Sequence, residues 1–185
     1  MNKQDIRFAI KQLKKTLSHE QRDSDALIVK NKIETSLWFK NASNILTYNS
    51  LPDELDTKFH IQCWTNIKNL YLPRVNGNNL EILRAGETTI GSFNILEPTG
   101  NDVISPSEIE LAIIPGIAFS HNGIRLGRGK GYYDRLLCNM NVLKIGICYD
   151  FQLIEELPCE VHDICMDAII TPNHTLIINS KQSWI

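Results

Sequence analysis

Glu110-Leu-Ala-Ile-Ile-Pro-Gly-Ile-Ala-Phe-Ser-His-Asn-Gly-Ile-Arg-Leu-Gly-Arg-Gly-Lys-Gly-Tyr-Tyr-Asp-Arg-Leu-Leu137 decides how the rest of the chain reads. Its apolar run, residues 111–114, has the length of a buried strand and is closed by Pro115-Gly116. Its end, residues 132–137, can start a helix. Between them, glycines at 123, 127, 129 and 131 alternate with Arg125, Arg128 and Lys130. Glycine lets backbone approach a ligand closely, and a following helix start offers free N–H donors. Three cations in the same few residues point to a polyanion, most simply the phosphates of a nucleotide.

Working outward, strands and helices alternate. Ile6, Ile10, Leu13 and Leu17 recur at helical spacing. Ser18-His19-Glu20-Gln21 resembles a capping box opening a second helix to about Phe39, with Leu27, Ile28, Ile33 and Leu37 as its apolar positions. Residues 45–48 read as a strand, 49–56 as a polar loop and 57–67 as a helix. A strand over 69–73 is expected to stop at Pro73, and 80–85 alternates like a half-exposed strand. Residues 86–106 read as irregular. Further strands are expected over 143–149, 165–170 and 175–178. No repeat or linker divides the 185 residues, so the expectation is one domain over 1–185. Its fold class is α/β, a three-layer α/β/α arrangement with a mainly parallel sheet and a glycine-rich phosphate loop between strand and helix.

Composition narrows the function classes. Hydrophobic residues make up 43% and charged residues 22%, ordinary for a globular chain. A net charge of -2 suggests no general affinity for nucleic acid, so any basic site is local. The five cysteines, 63, 138, 148, 159 and 165, form no CxxC pair and read as reduced thiols. No apolar signal region or membrane-length run is present, so we expect a cytoplasmic protein with no membrane partner, and a monomer.

The loop fits neither of two common phosphate motifs. Ile124 stands where a Walker A sequence needs its first glycine, and Lys130 is followed by Gly131 instead of Ser or Thr. The dinucleotide fingerprint fails for want of its third spaced glycine. A glycine turn with incidental surface cations is the competing reading. Asp134, in the first helical turn, suits a dipole-favoured position or a contact to Mg²⁺, and Asp163 is a candidate second metal contact. Asp53-Glu54 follows an early strand, where open α/β sheets bind ligands, though a solvated acidic turn reads equally well. Lys3 and Arg7 share a helix face, which alone suggests a solvated basic stripe. The histidines at 19, 60, 121, 162 and 174 show no metal-ligand spacing.

Residues 114–119 followed by Gly123-Ile-Arg-Leu-Gly-Arg-Gly-Lys-Gly-Tyr-Tyr-Asp134 strongly resemble the signature of the 5-formyltetrahydrofolate cyclo-ligase family, and the similarity covers nearly the whole chain. Lys3-Gln-Asp-Ile-Arg7 is similar to its N-terminal Lys-x-x-x-Arg element, and residues 50–57 to its substrate loop. Leu72-Pro73, Glu97-Pro98, His162-Asp163 and Ile170-Thr171 are further landmarks. Ser120 departs from the family, which often has aspartate there.

The resemblance implies an enzyme that uses ATP and Mg²⁺ to convert 5-formyltetrahydrofolate to 5,10-methenyltetrahydrofolate, releasing ADP and phosphate. It implies ATP contacts from Lys3, Arg7, Arg125, Leu126, Gly127, Arg128, Gly129, Lys130, Gly131, Tyr132 and Tyr133, with Lys130 and Arg128 at the γ-phosphate. It implies Mg²⁺ at Asp134 and Asp163, and a folate pocket containing Asn49, Glu54, Phe93 and Tyr132. Two other readings stand beside it: a non-catalytic nucleotide- or folate-binding protein, and a small kinase acting on another acceptor.

Overall fold

The computed structural model describes residues 1–138, 140–160 and 163–179. Five helices are present: α1 (Lys3–Lys14), α2 (His19–Thr35), α3 (Leu37–Asn41), α4 (Lys58–Trp64) and α5 (Tyr132–Leu137). The first seven strands are β1 (Asn44–Leu46), β2 (Asn69–Asn76), β3 (Asn79–Arg84), β4 (Thr88–Ile90), β5 (Leu96–Pro98), β6 (Val103–Ile104) and β7 (Leu111–Ile114). Six follow: β8 (Ala118–Ser120), β9 (Arg125–Leu126), β10 (Leu143–Ile147), β11 (Leu153–Ile154), β12 (Ala168–Ile170) and β13 (Thr175–Ile177).

Eight strands form one sheet in the order β13-β12-β10-β7-β1-β2-β3-β6. The five from β12 to β2 are mutually parallel. β13, β3 and β6 add antiparallel edges. Parallel strands are covered on both faces, and here successive side chains divide between two cores. Leu111, Ile113, Leu143, Ile145 and Ile147 pack with Ala26, Val29, Ile33 and Trp64 of α2 and α4. Ala112, Ile114 and Ile169 pack with Leu136 and Leu137 of α5 on the opposite face. These are the three layers expected from the alternating pattern.

The order of the strands positions the cleft. From β1 the chain crosses to β2 on one side through α4, whereas β7, β10 and β12 extend from the other side. The order therefore reverses between β1 and β7. The loops leaving the carboxyl ends of two such strands diverge and leave a crevice.

Several local expectations are corrected. The second helix does not run to Phe39: Ser36 adopts extended backbone (ψ 150°), and its side chain accepts from the Phe39 N–H to start α3. The buried face of α2 is Ala26, Val29 and Ile33, while Leu27 and Ile28 are exposed. Only half of the proposed capping box forms, with Ser18 accepting from the Gln21 N–H. Leu37 and Leu13 are exposed too, and Lys14 takes the buried place at the end of α1.

β2 runs through Pro73 to Asn76. The Thr47 N–H donates to the Tyr71 carbonyl, so the next rung of the β1–β2 ladder needs an N–H from residue 73. Proline lacks it. Parallel pairing ends there while β2 continues against β3. Finally, residues 86–106 hold a β4–β5 hairpin and β6. The strands expected over 143–149, 165–170 and 175–178 are shorter, as β10, β12 and β13.

The five cysteines are unpaired. No helix among the described residues is long and apolar enough to cross a membrane.

His60 gives the fold an acid limit. It is fully buried beside Trp64, its Nε2 lies 3.2 Å from the Ala26 carbonyl, and its Nδ1 has no partner. Burial pulls its pKa from 6.5 down to about 4, against the pull of that carbonyl. The native state thus binds fewer protons than the unfolded chain between these values. Stability is complete above 6.5 and falls as pH drops toward 4. Urea unfolding at pH 7 and pH 5 should differ by about 2 kcal/mol more in the wild type than in His60→Met. Equal pH slopes in the two proteins would contradict this.

Candidate active site

The crevice at the β1–β7 reversal is a cleft of about 880 Å³. All sixteen residues singled out from the sequence line it. Four segments far apart in the chain bring them there.

α1 supplies Lys3 and Arg7. Asn2 caps it through a reciprocal bond with Asp5, and Ile6 and Ile10 seat it on Ile117, Ala118, Ile124 and Leu126. The Arg7 Nε donates to the Gly127 carbonyl at 2.9 Å, fastening the helix to the glycine-rich loop. Lys3 Nζ lies 2.9 Å from Asp163 and 3.0 Å from Glu160. Partial burial disfavours its charge, but the two carboxylates outweigh this and raise its pKa. The sequence did not single out Glu160. His162 lies outside the described residues.

The loop over 125–131 does not follow β7 directly. It leaves β9, in a small side sheet ordered β11-β8-β9. Ser120, at the end of β8, closes the intervening turn by accepting from the Ile124 N–H at 3.1 Å. Leu126, Gly127 and Gly129 bring backbone to the cleft wall. Gly131 caps α5 with φ 68°, a left-handed conformation that favours glycine. α5 has only six residues, so its dipole adds little, and the side-chain cations dominate the electrostatics.

Those cations differ in their pairing. Arg125 is 6% exposed, donates to Asp134 at 2.6 Å and sits 5.4 Å from the centre of the Tyr133 ring. Arg128 reaches Asp53 at 2.6 Å and Glu54 at 3.0 Å. Burial lowers the Arg128 pKa, but the two carboxylates more than compensate and raise it. Lys130 is exposed, and among the described residues it has no side-chain partner. The Arg128–Asp53 bridge is open to solvent at both ends, 43% and 42% exposed, so it holds little energy and a phosphate can displace it.

The loop after β1 supplies Asn49 and Glu54. Thr57 anchors it, donating to the Tyr48 carbonyl at 2.5 Å and accepting from the Ser50 N–H. Glu54 accepts from the Leu51 N–H on one oxygen and from Arg128 on the other. Asp53 also meets Lys14 at 3.4 Å. Burial lowers the Lys14 pKa against the pull of Asp53 and Glu54. Asn49 Nδ2 donates to the Leu96 carbonyl at 2.7 Å, tying this loop to β5.

The fourth segment is the β4–β5 hairpin, missed in the sequence. Its turn places Phe93 at φ 59° and Asn94 at φ 60°. Asparagine tolerates this region, but phenylalanine does so only with strain of about 1–3 kcal/mol. The strained Phe93 ring meets Tyr132 edge-on, with centroids 6.2 Å apart. The two left-handed positions are held by Phe93 and Asn94 and not by glycine, which is why sequence patterning did not find the turn. The hairpin also brings Ile95 and Glu97 to the cleft, alongside Pro73, Val75 and Leu80 of β2 and β3.

As a magnesium site, Asp134 and Asp163 share the cleft, each already holding one cation, Arg125 and Lys3. No group of three or more His, Cys, Asp or Glu among the described residues could cage a metal. That donor set fits Mg²⁺, which uses one or two carboxylates and completes its shell with waters and a ligand's phosphates.

A family model described as the 5-formyltetrahydrofolate cyclo-ligase family matches residues 1–172. The 5-formyltetrahydrofolate cyclo-ligase of Escherichia coli (strain K12) is 33% identical over 176 residues, covering 89% of this chain and 97% of that protein. The Mus musculus protein of that name is 28% identical, covering 91% and 92%. The NMR structure of Aquifex aeolicus 5,10-methenyltetrahydrofolate synthetase superposes with a TM-score of 0.90 at 31% identity, covering 97% of this chain and 94% of that one. Fold and sequence agree, and the chain belongs to the 5-formyltetrahydrofolate cyclo-ligase family.

Proposed function

We propose that this enzyme converts 5-formyltetrahydrofolate to 5,10-methenyltetrahydrofolate, using ATP and Mg²⁺ and releasing ADP and phosphate. The observation that carries the ATP-dependent reading is Lys130, without a side-chain partner among the described residues, in a cleft that also holds Lys3, Arg7, Arg125 and Arg128. A formamide carbonyl is a poor electrophile, and its oxygen leaves poorly. Transfer of the γ-phosphoryl group to that oxygen makes it a leaving group. Folate N10 then attacks the formyl carbon and gives up its proton to solvent, the five-membered ring closes and phosphate departs with the former formyl oxygen.

The residues bind, orient and stabilise charge, as in other phosphoryl transfers. Lys3, Arg7 and residues 125–133 would hold ATP, with Lys130 and Arg128 at the γ-phosphate. Arg128 would exchange its exposed bridge to Asp53 for phosphate. Asn49, Glu54, Phe93 and Tyr132 would line the folate pocket. Asp134 and Asp163 would hold Mg²⁺, which supplies charge neutralisation at the phosphates when bound. One chain supplies every one of these residues, so the proposed active unit is a monomer, working in the cytoplasm.

The test of this route is isotopic. Substrate labelled with ¹⁸O at the formyl oxygen should return its label in the released phosphate. Label appearing in water instead would contradict phosphorylation of that oxygen. Glu54→Gln should raise the dissociation constant for 5-formyltetrahydrofolate about tenfold and leave that for ATP within about threefold. Calorimetric titration of each ligand separates these outcomes.

A further inference from the structure

Lys14 is a buried amine at the end of α1 for which the reaction above has no task. It is 3% exposed, while its neighbour Leu13 faces solvent. The partner of its amine among the described residues is Asp53, 3.4 Å away. Backbone fixes both ends of this pair. The Arg22 guanidinium donates to the Lys14 carbonyl at 2.5 Å and to the carbonyl of Pro52, the residue before Asp53, at 3.1 Å. The second partner of Asp53 is held less firmly, because Arg128 is 43% exposed and stands between two glycines.

The pair also sits on a boundary. Beside the cleft lies a second cavity of about 490 Å³, lined in part by Lys14 and Arg22. Arg7, Asp53, Ile117 and Arg128 line both cavities, so the Arg128–Asp53 bridge stands where the two meet. Lys14 approaches Asp53 from the smaller cavity, and nucleotide phosphates would approach Arg128 from the cleft.

Two cations thus share one carboxylate. Burial raises the Asp53 pKa, and Lys14 and Arg128 together more than offset this and lower it. The two cations also repel each other, which loosens the hold of Asp53 on Arg128. Once Arg128 turned to a phosphate, an Asp53 without Lys14 would stand bare beside a polyanion and oppose its binding.

We propose that Lys14 is a positioning residue for ATP, keeping Asp53 neutralised and in place while Arg128 leaves it for the nucleotide phosphates. This rests on the ATP-dependent reading above. Buried and fixed through its backbone, Lys14 stays with Asp53 in both arrangements and touches neither substrate.

Lys14→Met, Asp53→Asn and the double variant, titrated calorimetrically with ATP and separately with 5-formyltetrahydrofolate, test the role. Methionine keeps the buried stem and removes the amine, so Lys14→Met should fold as the wild type does. It should weaken ATP about tenfold and leave folate affinity within about twofold. At saturating ATP, kcat should stay within about threefold, because no contact to the transferring phosphate is lost. Asp53→Asn removes the charge that Lys14 neutralises, so the double variant should match Asp53→Asn in ATP affinity within about twofold. An ATP affinity in Lys14→Met within about twofold of wild type overturns the role. So does a loss that persists in the double variant, which would place Lys14 in helix packing or in direct contact with ATP. Either result leaves the ligase reading intact. A wild type that forms methenyl product without ATP overturns that reading and the role together.

Discussion

Lys130→Ala lowers kcat by about 10²- to 10³-fold, the usual effect of removing one fixed electrostatic group from a charge-stabilising site. The dissociation constant for 5-formyltetrahydrofolate stays within about threefold, since the proposed contact of Lys130 is to the transferring phosphate. The structure separates Lys130 from its neighbours. Arg125 and Arg128 hold carboxylates, whereas Lys130 is exposed without a side-chain partner among the described residues. Its removal therefore leaves no buried charge behind, and the melting temperature should barely move. Single-turnover kinetics with saturating folate measure the effect. A loss of less than tenfold, or an equal loss of folate affinity, would contradict the role.

Asp134→Ala behaves differently, because it removes the counter-charge of a buried guanidinium. Arg125 is 6% exposed, and its Nε already has no hydrogen-bond partner. Breaking one side of such a pair costs about 3 kcal/mol, whereas replacing both sides with apolar groups of similar volume is often neutral. Arg125→Met with Asp134→Leu should therefore regain most of the stability lost by Asp134→Ala. The double variant, which loses a proposed ATP contact along with the proposed Mg²⁺ contact, should remain inactive at any magnesium concentration. Urea unfolding measures the first expectation, and activity against Mg²⁺ concentration the second. Full activity in the stable double variant would assign Asp134 to pairing alone.

The parts of the fold legible in the sequence were those written in local pattern. The buried run at 111–114 is β7, and the α/β alternation gives the three layers. Pattern failed where a tertiary partner decided the outcome. Leu27 and Ile28 look like core residues, but Ala26 and Val29 are the ones that fit closely against the sheet. Pro73 looked like a strand end, yet it interrupts only the ladder on one side of β2.

The glycine-rich loop was legible because glycines and cations alternate within one short segment. The convergence of α1, the Glu54 loop and the hairpin on that loop was not. Lys3 and Asp163 are 160 residues apart and meet at 2.9 Å. The pairing of Arg128 with Asp53 and Glu54 is likewise set by tertiary structure, since the loop after β1 and the loop leaving β9 meet at the same crevice.

The most direct measurement mixes the purified chain with 5-formyltetrahydrofolate, ATP and Mg²⁺ and follows the absorbance of 5,10-methenyltetrahydrofolate. The expected result is a rise that requires all three additions, with ADP and methenyl product formed in equal amounts. No methenyl absorbance, in a preparation shown to bind ATP, would contradict the ligase reading.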